Sequence, residues 1–168
     1  MENYKATGMS RCKIRAITNR LREYLMIKAN DKVPILKVLE YIAIVLDYEL
    51  DIVYDDELPY KYAEIYPSEK IIRIRESVYN NAYNGDARSR FTIAHEIGHL
   101  FLHENNRISF ARTSSTKMKP YESPEWQANV FAAEFLVPVS NIKNLTPNEI
   151  ATKYNVSKKV AQIQSTFA

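Results

Sequence analysis

The run Arg90-Phe91-Thr92-Ile93-Ala94-His95-Glu96-Ile97-Gly98-His99-Leu100-Phe101-Leu102-His103 constrains this chain more than any other stretch. Its apolar residues follow helical spacing, and a helix stacks residues four apart on one face, one turn above each other. His95 and His99 are such a pair. Their imidazoles point at one position, where two neutral ring nitrogens can hold a zinc ion at about 2.0–2.1 Å. Glu96, beside the first histidine, can reach a water on that ion and take its proton. His-Glu-x-x-His on a helix is the layout of a metal-dependent peptidase.

Two histidines and a water leave one protein ligand to be found in a three-ligand catalytic site. The metzincin extension is excluded, because it needs Gly and His where this chain has Leu102 and Asn105. The segment Glu125-Trp126-Gln127-Ala128-Asn129-Val130-Phe131-Ala132-Ala133-Glu134-Phe135-Leu136 offers two carboxylates. They stand about two and a half turns apart, so Glu125 and Glu134 face opposite ways on a helix. Glu125 shares its face with Ala128, Asn129 and Ala132, and Gly98 thins the motif helix opposite. A mid-helix glycine costs roughly 0.5–1 kcal/mol relative to alanine and implies close packing. Glu125 is the expected third ligand, with Glu134 the fallback and Glu122, one turn earlier, still open. His103 has rotated about 80° from His95 and is expected at the surface or behind a ligand.

The rest of the chain supplies a frame for these helices. Apolar residues Ile14, Ile17, Leu21 and Leu25 predict an amphipathic helix over residues 11–28, with Arg11, Lys13, Arg15, Arg20, Arg22 and Lys28 on a solvated outer face. Asp31 is expected to cap a second helix that carries Pro34 in its first turn and forms the centre of the core. Residues 49–54, 60–66 and 70–75 are short, β-branched and aromatic, and predict a three-stranded antiparallel sheet. Asn84-Gly85 marks a turn before a motif helix over residues 87–103, and residues 105–120 read as a long loop. Ser123-Pro124 opens the next helix, which ends before Pro138. Thr146-Pro147-x-Glu149 is a capping box, and Asn155 a left-handed turn between two short helices.

A chain of 168 residues, 46% hydrophobic and 26% charged, is expected to bury one core without staples. The expected division is a peptidase domain over residues 1–140, of which 1–9 form a loose tail, and a small helical segment over 141–168. Cys12 is the lone cysteine, which rules out an internal disulfide and a cysteine metal cluster and fits a reducing compartment. The apolar stretch 33–46 is interrupted by Lys37 and Glu40, so it reads as a buried helix and not a membrane span. Nothing after Met1-Glu2-Asn3-Tyr4-Lys5 resembles a signal sequence. The expected location is cytoplasmic. A net charge of +3 is too mild to announce nucleic acid.

Residues 90–103 closely resemble the ImmA/IrrE family of bacterial and phage metallopeptidases. So does Glu125-x-x-Ala128-Asn129-x-Phe131-Ala132-Ala133-Glu134-Phe135-Leu136-Val137-Pro138. The likeness covers roughly residues 31–160, is strongest between 90 and 138, and extends to Glu149-Ile150-Ala151-x-Lys153-Tyr154-x-Val156-Ser157. It implies an α+β fold with a zincin-like minimal peptidase core, helices on a small sheet, and a C-terminal helical hairpin. It also implies a gluzincin-like zinc site with His95, His99 and Glu125 as ligands and Glu96 as catalytic base. Manganese or iron(II) would also suit such a donor set. The implied partner is a helix-turn-helix transcriptional repressor, cleaved or otherwise inactivated to release phage, mobile-element or stress genes. The absence of a long further C-terminal domain points to a compact, phage or mobile-element type. Two alternatives remain: a DNA-binding regulator acting through residues 146–164, with Lys158 and Lys159 opening a recognition helix, and a non-catalytic anti-repressor that sequesters its partner.

Overall fold

The computed structural model of the chain describes residues 5–103, 108–109 and 118–168. In chain order they form β1 (Lys5–Ala6), α1 (Arg11–Tyr24), α2 (Ile35–Val45), β2 (Glu49–Val53), β3 (Ala63–Tyr66), β4 (Ile71–Arg75) and α3 (Glu76–Tyr83). They continue with α4 (Ala87–His103), β5 (Ile108–Ser109), α5 (Pro124–Leu136), α6 (Pro147–Tyr154) and α7 (Lys158–Ser165). The architecture is α+β: seven helices among the described residues and a small sheet. None of these helices is long and apolar enough to cross a membrane.

The helix starts follow local chemistry. Ser123 Oγ accepts from the Trp126 amide at 3.3 Å and Pro124 fills the first position of α5, where a missing N–H costs nothing. Thr146 and Glu149 close a reciprocal box on α6, and Asn155 ends that helix at φ 52°. Asp31 does not cap α2. Pro34 occupies the cap position without a side-chain bond, while the Asp31 carbonyl accepts from Arg22 Nη2 at 2.8 Å.

The three-stranded sheet has the order β2-β4-β3, and its pairing is mixed. The expectation of an all-antiparallel sheet is corrected here. A four-residue turn joins β3 to β4, which forces them antiparallel, with Ile65 opposite Ile72. The longer connection from β2 to β3 carries the chain past β4, so β2 lands on the far edge, parallel to β4 with Ile52 beside Ile74. Strand β4 is therefore central and presents no free edge.

The core centres on α4 and α5. Ile93, Ala94, Ile97, Leu100, Phe131, Ala132, Phe135 and Leu136 are buried there in one apolar cluster with Ile14, Leu39, Ile72 and Ile74. Helix α2 lies at the margin and not at the centre, since Ile35, Val38, Leu39, Ile42 and Ala43 face inward while Tyr41, Ile44 and Val45 are exposed. Ile150, Tyr154, Val156 and Ala161 of the C-terminal helices join the same cluster. The N-terminal segment is not a loose tail over its described part. Residues 5–6 pair with 108–109, and Ala6 and Met9 are buried. Residues 1–4 lie outside the described residues, as do 105–107 and 110–117 of the expected long loop.

Close approach of α4 to α5 depends on Gly98. A Cβ at this position would stand 3.1 Å from Phe131 Cβ and 3.2 Å from Ala128 Cα. The second neighbour is backbone and cannot rotate away. Gly98→Ala gains helix propensity of roughly 0.5–1 kcal/mol but overpacks the interface at about 1–3 kcal/mol. The net expectation is a loss of about 1 kcal/mol, read from the urea midpoint. A midpoint at or above wild type would show that the two helices have room to spare.

Candidate metal centre

Helix α4 sets two imidazoles over one another, and α5 brings a carboxylate across the narrow Gly98 contact. The Nε2 atoms of His95 and His99 stand 3.0 Å apart. Glu125 Oε2 lies 3.3 Å from His95 Nε2, and Glu125 Oε1 lies 3.3 Å from His99 Nε2. Ligands held about 2.0–2.1 Å from a tetrahedral zinc ion stand roughly 3.3–3.4 Å from one another, so this triangle has the dimensions of such a site. The three donor groups lie within 4.8 Å of one another and could hold a metal ion.

The electrostatics of the triangle call for positive charge. Paired with His95 and His99, the Glu125 carboxyl is held well below the usual carboxylate range. Burial alone would lower His95, but Glu125, Glu96 and Asn129 together raise it. His95 Nδ1 faces Asn129 Oδ1 at 3.0 Å and His99 Nδ1 faces His103 Nδ1 at 3.0 Å, so both rings turn Nε2 toward Glu125. A set of converging lone pairs and a carboxylate is repulsive without a cation between them. The donor chemistry therefore fits a borderline divalent ion such as zinc.

Glu96 sits one residue beyond the first histidine, half-buried in the lining of a cleft of about 610 Å³. Burial raises its carboxyl above the ordinary range, against the pull of His99 and His95. Strand β3 lines the same cleft, as do Lys61 and Tyr62 just before it. Lys61 pairs with Glu64, which also accepts from the Tyr66 hydroxyl. Residues 71–75 are hydrogen-bonded on both sides as β4 and offer no edge to a substrate. The edge that lines the cleft is β3.

The other candidate carboxylates go elsewhere. Glu134 is fully buried on the opposite face of α5, where it accepts from Arg11 Nη1 at 2.7 Å and Arg15 Nε at 2.8 Å. Glu122 accepts from the Lys119 amide at 3.2 Å and is not part of the converging group. His103 is buried behind His99. The basic face read on α1 is partly internal: Arg11 and Arg15 bind Glu134, and Arg22 is buried against the Phe135 carbonyl at 2.7 Å. Sequence reasoning gave no role to Asn129 or Gln127. Asn129 carried a signal, its place on the Glu125 face. Gln127 carried none, since a glutamine in a helix reads as surface.

The Peptidase_M78 family model, described as the IrrE N-terminal-like domain, matches residues 52–166. Neither the comparison with curated proteins nor that with solved structures gives a match.

Proposed function

The chain belongs to the IrrE N-terminal-like family of peptidases, and from that premise we propose that it is a zinc-dependent endopeptidase acting on a helix-turn-helix transcriptional repressor. The observation that carries the reading is the convergence of His95, His99 and Glu125 beside an unliganded Glu96. When bound, a divalent ion supplies Lewis-acid chemistry, lowering the pKa of a water toward about 7 and polarising a carbonyl. His95, His99 and Glu125 hold and orient it. Glu96 takes the proton of the attacking water as its oxygen bonds to the scissile carbonyl carbon. It then delivers that proton to the departing amine as the C–N bond breaks.

The zincin-like arrangement also offers a place for the substrate backbone. Arg75 N–H donates to the Tyr62 carbonyl at 3.1 Å, which sets the alternation along the β3–β4 ladder. By that alternation Ala63 and Ile65 turn their N–H and C=O groups away from β4, toward the cleft side. An extended peptide can add there as a fourth strand, with its scissile bond over Glu96. The repressor as substrate rests on the likeness of residues 90–138 to ImmA/IrrE peptidases, and release of phage, mobile-element or stress genes follows from it.

The test is incubation of the purified protein with the helix-turn-helix repressor encoded beside it. Fragments should appear with zinc, stop with a chelator and return when zinc is restored. Stoichiometric inhibition of the repressor without fragments would replace cleavage by sequestration.

A further inference from the structure

We propose that His103 and Gln127 are positioning residues that lock His99 in the tautomer whose Nε2 lone pair faces the metal site. The proposal rests on the metal-site reading above and follows from counting donors and acceptors along one buried chain. Gln127 is fully buried. Its Nε2 donates to the Thr7 carbonyl at 2.9 Å and to the Tyr121 carbonyl at 2.7 Å. Two carbonyls accept only, so the amide can sit one way round, with Oε1 left as an acceptor. Gln127 Oε1 lies 3.0 Å from His103 Nε2, which must then carry a hydrogen. In a neutral imidazole that N–H is the only one. His103 Nδ1 is therefore bare and accepts. Its partner at 3.0 Å is His99 Nδ1, which must donate. That leaves the lone pair of His99 on Nε2, the atom facing His95 and Glu125.

The two histidine ligands are held differently. His95 Nδ1 faces the amide oxygen of Asn129, an exposed residue. His99 is held by a chain that ends on main-chain carbonyls in two separate segments. Tyr121 O also accepts from the Met9 amide at 2.9 Å. Residues 7–9 thereby complete the support of a metal ligand, which gives their docking a purpose beyond packing. They lie outside the matched residues 52–166.

Loss of a hydrogen-bond partner of a metal-ligating histidine typically costs 10–100-fold in metal affinity. His103→Phe removes the acceptor and keeps a ring, while His103→Asn places an amide oxygen near the former Nδ1. Zinc affinity would be measured by competition with a chromophoric chelator, alongside thermal unfolding of each protein without metal. His103→Phe should bind about 10–100-fold more weakly, and His103→Asn should recover most of that loss. Equal weakness in both variants, or full affinity in His103→Phe, would overturn the proposal. Nitrogen-detected NMR of the folded wild type gives a reading that needs no variant. It should find the proton on Nδ1 of zinc-loaded His99 and on Nε2 of His103, and the reverse tautomer at His103 would also overturn it. A wild type that binds no zinc would overturn the metal reading itself. Tight wild-type binding with an indifferent His103→Phe would overturn this proposal alone.

Discussion

Glu96→Gln is expected to keep its metal and lose about 10²–10⁴-fold in the rate of peptide cleavage, the usual contribution of a positioned general base. The side chain stands in the same cleft as the ligand triangle but outside it, because the converging group is His95, His99 and Glu125. Glutamine has the same length and volume and keeps a hydrogen-bonding head. The packing of the cleft lining is preserved, and none of the three converging donors is removed. What disappears is the ability to accept the proton of the attacking water. The loss should fall on kcat, since an interaction made while the proton moves contributes little to ground-state binding. Metal content by elemental analysis and cleavage by gel assay should be read on the same sample. Cleavage at the wild-type rate would move the base elsewhere. Loss of metal together with activity would mean that Glu96 belongs to the ligand set. Glu125→Gln makes the natural contrast, since it removes the anionic donor of the triangle itself.

The parts of this fold that could be read from the chain are those decided within one or two turns. Ser123-Pro124, the Thr146–Glu149 box and the left-handed Asn155 carry their conformations in their own side chains. The convergence of His95, His99 and Glu125 was legible for a related reason: the spacing of the two histidines is a property of a single helix, and the small-residue face beside Glu125 announces close approach. The illegible parts depend on distant partners. Parallel pairing of β2 with β4 is fixed by where the connection crosses the sheet, and no residue in either strand encodes it. Helix α3 is one such case: two turns containing Asn80 and Asn81, poor helix formers, held by burial of Val78 and Ala82. Arg22 looks like a surface residue on an amphipathic helix, yet its guanidinium serves the carbonyls of Phe135, Lys28 and Asp31. Gln127 and His103 likewise look peripheral in sequence. Only the meeting of α4, α5 and the N-terminal segment turns them into a chain behind His99.

Glu134 separates the two carboxylates of α5 by consequence as well as by position. It is fully buried, and among the described residues its charged partners are Arg11 and Arg15 on α1. Arg11 Nη1 also donates to Gln164 Oε1 at 2.8 Å, and Gln164 Nε2 donates to the Val137 carbonyl at 2.8 Å. One carboxylate therefore ties α1, α5 and α7 together. Glu134→Ala leaves two guanidiniums facing each other across a void. Breaking a buried ion pair in this way costs about 3–5 kcal/mol, a large share of the roughly 5–15 kcal/mol that holds a domain together. Both arginines keep part of their surface in water, which places the expected loss near the lower end of that range. Glu134→Gln, with the volume retained and the charge removed, should lose less. Replacing Glu134, Arg11 and Arg15 together by apolar residues of similar size should recover stability, since the desolvation cost leaves with the charges. Urea unfolding reads all three. Because Glu134 faces away from the histidines, the Glu134→Ala protein that remains folded should bind zinc as tightly as wild type. A variant of normal stability that has lost its metal would exchange the roles of Glu134 and Glu125.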